Sequence, residues 1–173
     1  MVQISATARI CIAGQAPGTR VQATGRPFDD PSGKRLRQWL GIDEAVFYDS
    51  YKIAILPMGF CFPGLRADGS DLPPRRECAE VWRAELFAQL PNVKLLLVIG
   101  AHAHRWHLGS EAARYGVNQT VRRWREIYDA NPPMRTFPLP HPSWRNNRWL
   151  NENRWFENDL LGQLRADVRS ALD

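Results

Sequence analysis

The sequence predicts an α/β fold: three layers, α/β/α, with a central, mainly parallel four-stranded sheet between helices. Three observations carry this. Four short apolar runs, residues 8–13, 52–57, 93–99 and 134–139, have the length of strands, and each is closed by Gly or Pro. Between them lie longer stretches with apolar residues at helical spacing. The third run, Val-Lys-Leu-Leu-Leu-Val-Ile, is the continuous apolar pattern of a strand covered on both faces. Strands alternating with helices imply parallel pairing through crossovers. In such sheets the loops at the strands' carboxyl ends converge on one crevice, so the residues just after each strand are the first candidates for a site.

The first run, Arg-Ile-Cys-Ile at its centre, stops at Gly14-Gln15-Ala16-Pro17-Gly18, a turn in which backbone can approach a ligand without an intervening Cβ. Residues 25–33 hold too many breakers for a helix. Ser32 is the expected N-cap of a helix through Leu40, with Leu36, Trp39 and Leu40 on one face and Gly41 as terminator. Phe28, flanked by Pro27 and Asp29, is either a plug beneath this loop or a ring on which a flat ligand stacks. The second run ends in Pro57, and residues 58–74 read as a long surface excursion. A helix over 77–90 follows, with Val81, Trp82, Leu86, Phe87 and Leu90 expected on its buried face. After Gly100 another helix carries His102, His104 and His107. Only His104 and His107 have a spacing that suits two ligands, and nothing nearby completes a set, so no metal is expected. Residues 119–128 predict an amphipathic helix burying Val121, Trp124 and Ile127. The last run leads into His141, held between Pro140 and Pro142, and Phe156 to Leu172 recur at helical spacing.

The 173 residues suit one domain, 1–173, with a continuous core, and 24% charged with 44% hydrophobic residues describe an ordinary soluble protein. No apolar run spans a bilayer and no secretory leader is evident, so a cytoplasmic protein is expected. Three widely spaced Cys make no disulfide framework. The net charge is +5, dominated by Arg, with a pI near 9.5. Basic residues gather over 114–125 and 135–154, the latter interleaved with Trp144, Trp149 and Trp155. Arg suits phosphate and base stacking, so a polyanion containing rings is the expected partner.

With these motifs in order, the chain resembles the uracil-DNA glycosylase superfamily. Gly14-Gln15-Ala16-Pro17-Gly18 resembles its first motif and His141-Pro142-Ser143 its second. Gly25-Arg26-Pro27-Phe28 with Ser32-Gly33 is similar to the same region of the bacterial and archaeal iron–sulfur, family 4 members. The resemblance implies a monofunctional glycosylase that flips uracil out of DNA and hydrolyses its glycosidic bond, acting as a monomer. It gives His141 the departing base's oxygen, Phe28 the stacking face, and Gly14, Gln15, Ala16, Pro57 and Met58 the base. Gly18, Ser143, Trp144, Arg145, Asn146, Asn147 and Arg148 would contact DNA.

The sequence also departs from the family. Ala16 stands where well-known members carry a water-orienting Asp, and Gln15 where iron–sulfur members have Glu. Asp30, then Asp29, become the candidates for positioning water, with capping of the next helix as their other reading. Leu56-Pro57-Met58 replaces the region of the base-reading Asn, leaving backbone groups or Gln15 to read the base. Cys61 and Cys78 match two cluster ligands, but the N-terminal pair is missing and Cys11 lies within the first strand. A cubane cluster takes four thiolates, so no cofactor is expected. A glycosylase for a deaminated purine or oxidised pyrimidine, and a non-catalytic DNA-binding module, are the alternatives.

Overall fold

Successive side chains of a strand point to opposite faces, and here each face meets its own core. The computed structural model describes residues 1–130 and 132–173. Strands β1 (Ile10–Ala13), β2 (Ile53–Ile55), β3 (Leu95–Ile99) and β4 (Arg135–Leu139) form one sheet in the order β2-β1-β3-β4, every pair parallel. The helices are α1 (Thr19–Thr24), α2 (Pro31–Leu40), α3 (Glu44–Phe47), α4 (Arg76–Ala88), α5 (Gly100–Arg122), α6 (Trp124–Ala130), α7 (Asn147–Glu152) and α8 (Leu161–Leu172). On one face Ile10, Ile12, Ile55, Leu97 and Phe137 pack against residues of α2, α6 and α8. On the other, the smaller Cys11, Ala13 and Ala54, with Leu96 and Val98, meet Ala79 of α4 and Ala103 of α5. Each buried Ile or Leu contributes roughly 1.5–3 kcal/mol, so the two cores set the layers. This is the three-layer α/β/α fold read from the sequence. No helix among the described residues is long and apolar enough to cross a membrane.

Four local expectations are corrected. Asp30, not Ser32, caps α2: its Oδ1 accepts from the Gly33 amide at 2.8 Å, and Pro31 occupies the first turn, where its missing N–H is harmless. The helix expected over 119–128 is interrupted, because α5 ends at Arg122 and α6 begins at Trp124, leaving Ile127 only half-buried. The C-terminal helix opens with a π turn over Phe156–Leu160. The largest change is at α4. Val81 and Trp82 are 60% and 52% exposed, while Arg83 is 1% exposed.

Arg83 is inside because strand-end carbonyls receive it. Its Nη1 donates to the carbonyls of Leu56 at 2.6 Å and Pro57 at 2.9 Å. Its Nε and Nη2 lie 3.0 and 2.7 Å from His107 Nε2. A guanidinium has no acceptor, so His107 accepts at Nε2 and is neutral with its proton on Nδ1. Burial, then the adjacent Arg83 charge, lower the His107 pKa to about 3. His104 has the opposite tautomer: its Nε2–H faces the carbonyls of Val98 at 3.0 Å and Leu139 at 3.1 Å, tying the ends of β3 and β4 together. Burial lowers its pKa to about 4. His104 and His107 are thus committed to protein partners.

Acid stability follows from these two groups. An unfolded His takes up a proton near pH 6.5, whereas folded His104 and His107 do so only near 4 and 3. Between those limits the unfolded chain binds more protons, so stability falls as pH falls and is unaffected above the unfolded value. The unfolding free energy from urea titrations is expected to be level from about pH 8 to 7 and to decline by several kcal/mol toward about pH 4, the midpoint falling with it. A midpoint that stayed level from about pH 7 to 5 would contradict this reading.

Candidate active site

Strand order places a switch point between β1 and β3, where connections leave in opposite directions and a crevice opens at the carboxyl ends. A cleft of about 100 Å³ lies at these ends, lined by residues including Gly14, Gln15, Ala16, Pro17, Gly18, Phe28, Asp30, Pro57, Asp71 and His141. Both sequence motifs and the Phe28 loop therefore meet in one place.

The floor is built by continuing the β1–β2 ladder into the turns. The amide of Met58 donates to Gly14 at 2.9 Å and that of Gly59 to Gln15 at 2.7 Å. Those two donors are therefore unavailable to a ligand. Met58, expected beside the base, does not line this cleft: its side chain is buried and faces a separate hollow of about 380 Å³ with Arg75, Arg76, His102 and Arg105. Pro57 offers no amide proton. Gln15 lines the cleft, and its Nε2 sits 2.9 Å from where a Cβ on Gly100 would lie. Gln15 follows β1 and Gly100 opens α5 after β3, so this contact spans the switch point.

Phe28 forms one wall in a left-handed conformation, φ +57°, unusual for a residue with a Cβ. Several contacts hold it there. Tyr48 Oη donates to the Pro27 carbonyl at 2.9 Å, and the Phe28 ring meets Phe47 edge-on with centroids 6.2 Å apart. Gly33 presses so closely that a Cβ there would stand 1.8 Å from the Phe28 oxygen. A Cβ on Gly14 would lie 3.1 Å from the Phe28 ring, so glycine lets the ring reach the turn. The ring is packed on Phe47 beneath the loop and also lines the cleft.

His141 lines the same cleft as Phe28, from the β4 end. Upstream, His104 fixes the Leu139 carbonyl; downstream, Pro142 is buried, and Arg35 Nη1 donates to the Ser143 carbonyl at 2.9 Å. Asn146 Nδ2 donates to the His141 carbonyl itself at 2.7 Å. Asn146, expected to contact DNA, is therefore turned inward as a support for His141. Ser143 Oγ accepts from the Arg145 amide at 3.1 Å and caps the short 3-10 turn Trp144–Asn146. Burial pushes the His141 pKa below its ordinary value, opposed by the nearby Asp30 and Asp71 carboxylates and reinforced by Arg145. The imidazole is thus neutral at neutral pH, with one N–H to donate.

Outside the cleft, Trp144 is 73% exposed, with the Arg145 guanidinium 6.0 Å from its ring centroid. Asn147 and Arg148 are also exposed, Arg148 paired with Glu152 at 2.8 Å. Of the acids expected at the site, Asp30 lines it while capping α2, and Asp29 does not line it. The sequence reading missed Asp71, hidden in the excursion between β2 and α4. Its signal, a lone acid before Leu72 and two prolines, is too common in loops to stand out.

The thiols do not suit an iron–sulfur cluster. Cys11 is fully buried in β1, where desolvation pushes its pKa up to about 12, and only Cys61 and Cys78 lie outside the core. Two thiols are half of what a cubane requires.

The family model for the uracil DNA glycosylase superfamily matches residues 1–165. That span takes in the whole sheet, the turn after β1, the Phe28 loop and the His141 loop. On this match, carried by a sheet and a cleft of the expected form, the chain belongs to the uracil DNA glycosylase superfamily.

Proposed function

We propose that the general activity of this superfamily, DNA glycosylase hydrolysis in DNA repair, is directed in this chain at uracil. The observation that supports the reading is that His141, whose charged form burial disfavours, lines one cleft of about 100 Å³ together with Phe28 and Gln15. A base inside a duplex is out of reach, so the nucleotide is flipped and its ring stacks on Phe28. Trp144, exposed and stiffened by its 3-10 turn, fills the gap left in the stack, and neighbouring Arg and Asn side chains hold phosphates.

The chemistry asks for a leaving base that can carry charge. As the glycosidic bond breaks, its electron pair passes to the base, and the His141 N–H stabilises the charge that builds on the pyrimidine oxygen. The sugar becomes oxocarbenium-like and water adds at its anomeric carbon. Gln15 offers both a donor and an acceptor, matching the carbonyl and N–H of the uracil edge.

The test is a panel of oligonucleotides, each with one lesion: uracil, hypoxanthine or an oxidised pyrimidine, in single and double strands. Free uracil and an abasic site are expected from the uracil substrates, without added metal. Release confined to another lesion would reassign the substrate. Binding that fades with salt, ignores the lesion and releases nothing would leave a DNA-binding module.

A further inference from the structure

We infer that Asp71, on the loop between β2 and α4, is the carboxylate that holds the attacking water against the sugar of the flipped nucleotide. The inference rests on the glycosylase reading above. Two carboxylates line the cleft, Asp30 and Asp71. Asp30 is engaged: its Oδ1 accepts from the Gly33 amide, and freeing it would strip the cap from α2 next to the strained Phe28. Asp71 accepts no side-chain hydrogen bond and forms no ion pair among the described residues. Neither Gln15 nor Ala16, in the turn beneath, can accept a proton as a base.

The placement of Asp71 is fixed by its backbone rather than by its side chain. Leu65 and Asp71 form an antiparallel bridge, closed by Arg66 N to the Ser70 carbonyl at 2.7 Å and Leu72 N to the Gly64 carbonyl at 2.9 Å. Ser70 is pinned in turn by Asp68, Oγ to Oδ1 at 2.6 Å. This small hairpin folds back so that Asp71 Oδ2 lies 3.5 Å from where a Cβ on Gly18 would be, at the end of the β1 turn. The carboxylate is near enough to His141 to oppose the loss of its proton affinity. Depth distinguishes the two groups. His141 is half-buried, whereas Asp71 is exposed while lining the same cleft, a depth that suits the sugar of a nucleotide whose base lies against His141.

The step is balanced without any further reactant. The bond between the base nitrogen and the anomeric carbon breaks, and its electron pair leaves with the base. The water oxygen bonds to that carbon while its proton passes to the Asp71 carboxylate and on to solvent. The base anion, held by His141, takes a proton from solvent as it is released. Before water adds, the same carboxylate faces the positive charge on the sugar.

Asp71→Asn, Asp71→Ala and Asp71→Glu are compared with the wild type in single-turnover release of uracil from a labelled oligonucleotide. Affinity is measured on the same oligonucleotide carrying a non-cleavable 2′-fluoro analogue. The Asn and Ala variants are expected to lose about 10²-fold or more in rate. Their affinity should be unchanged or tighter, because a carboxylate facing a polyanion opposes binding. Glu should retain part of the rate, and sodium formate should restore part of the Ala variant's, which a purely structural residue would not allow. The side chain has no internal partner, so thermal melts should match the wild type. An Asn variant at the wild-type rate, or a rate loss matched by lost affinity without formate rescue, overturns the inference and leaves the glycosylase reading standing. A wild type that releases no base from any lesion overturns both.

Discussion

His141→Ala is expected to lower the single-turnover rate of uracil release by about 10²–10³-fold, the range for removing one donor aimed at a developing oxyanion. Affinity for a non-cleavable uracil oligonucleotide should change by less than about threefold, because the bond to the base oxygen strengthens only as charge accumulates there. The structure gives reasons to expect the loss to be confined to the chemical step. The loop does not depend on the imidazole for its shape: His104, Asn146 and Arg35 hold its carbonyls, and Pro142 is buried. The substitution therefore removes a donor from a frame that stays put. Equal losses in rate and affinity would demote His141 to a binding residue, and the neutral-donor mechanism with it.

Arg83→Met is expected to be the most destabilising single change near the site. It leaves the Leu56 and Pro57 carbonyls and His107 Nε2 buried without their donor, each at about 1–3 kcal/mol. A loss of about 3 kcal/mol or more lowers the melting temperature by roughly 6–12 °C in a chain of this size. Replacing a buried charge by an apolar side chain is often harmless when its partners are replaced as well, but here they are strand-end backbone and remain. Pro57 lines the cleft, so uracil release should fall even at temperatures where the variant is folded. A melting temperature within about 2 °C of wild type would show that water replaces the guanidinium without loss.

The sheet was legible because its signals are local. Apolar runs of strand length closed by Gly14, Pro57, Gly100 and Pro140 marked four strands of a mainly parallel sheet, and the rule that strand-end loops converge put the Gly14–Gly18 turn, Phe28, Pro57 and His141 in one crevice, where they lie. What escaped was whatever hydropathy cannot see. A period of apolar side chains put Val81 and Trp82 inside, yet the face of α4 is chosen by Arg83, buried because carbonyls and a neutral imidazole satisfy its donors. Ser32 and Asp30 are both good caps, and Pro31 decides between them by fitting the first helical position. Asn146 and Asn147 are equivalent on paper; only the 3-10 turn sends the first inward to the His141 carbonyl. Asp71 reaches the cleft through a hairpin whose closing contacts join residues four to eight apart in a stretch without periodicity.

The contact between Gln15 and Gly100 limits how this enzyme's base preference could drift. Any side chain at position 100 would have to occupy the space of the Gln15 amide and accept a φ of +80°, so that position is closed to gradual tuning by larger residues. Gly33 closes the Phe28 wall in the same way, by backbone contact. New preferences would therefore arise chiefly by replacing residue 15 itself, or its neighbours Ala16 and Pro57. For directed evolution, a library at those three positions varies the cleft lining while leaving Gly33, Phe28 and Gly100 in place.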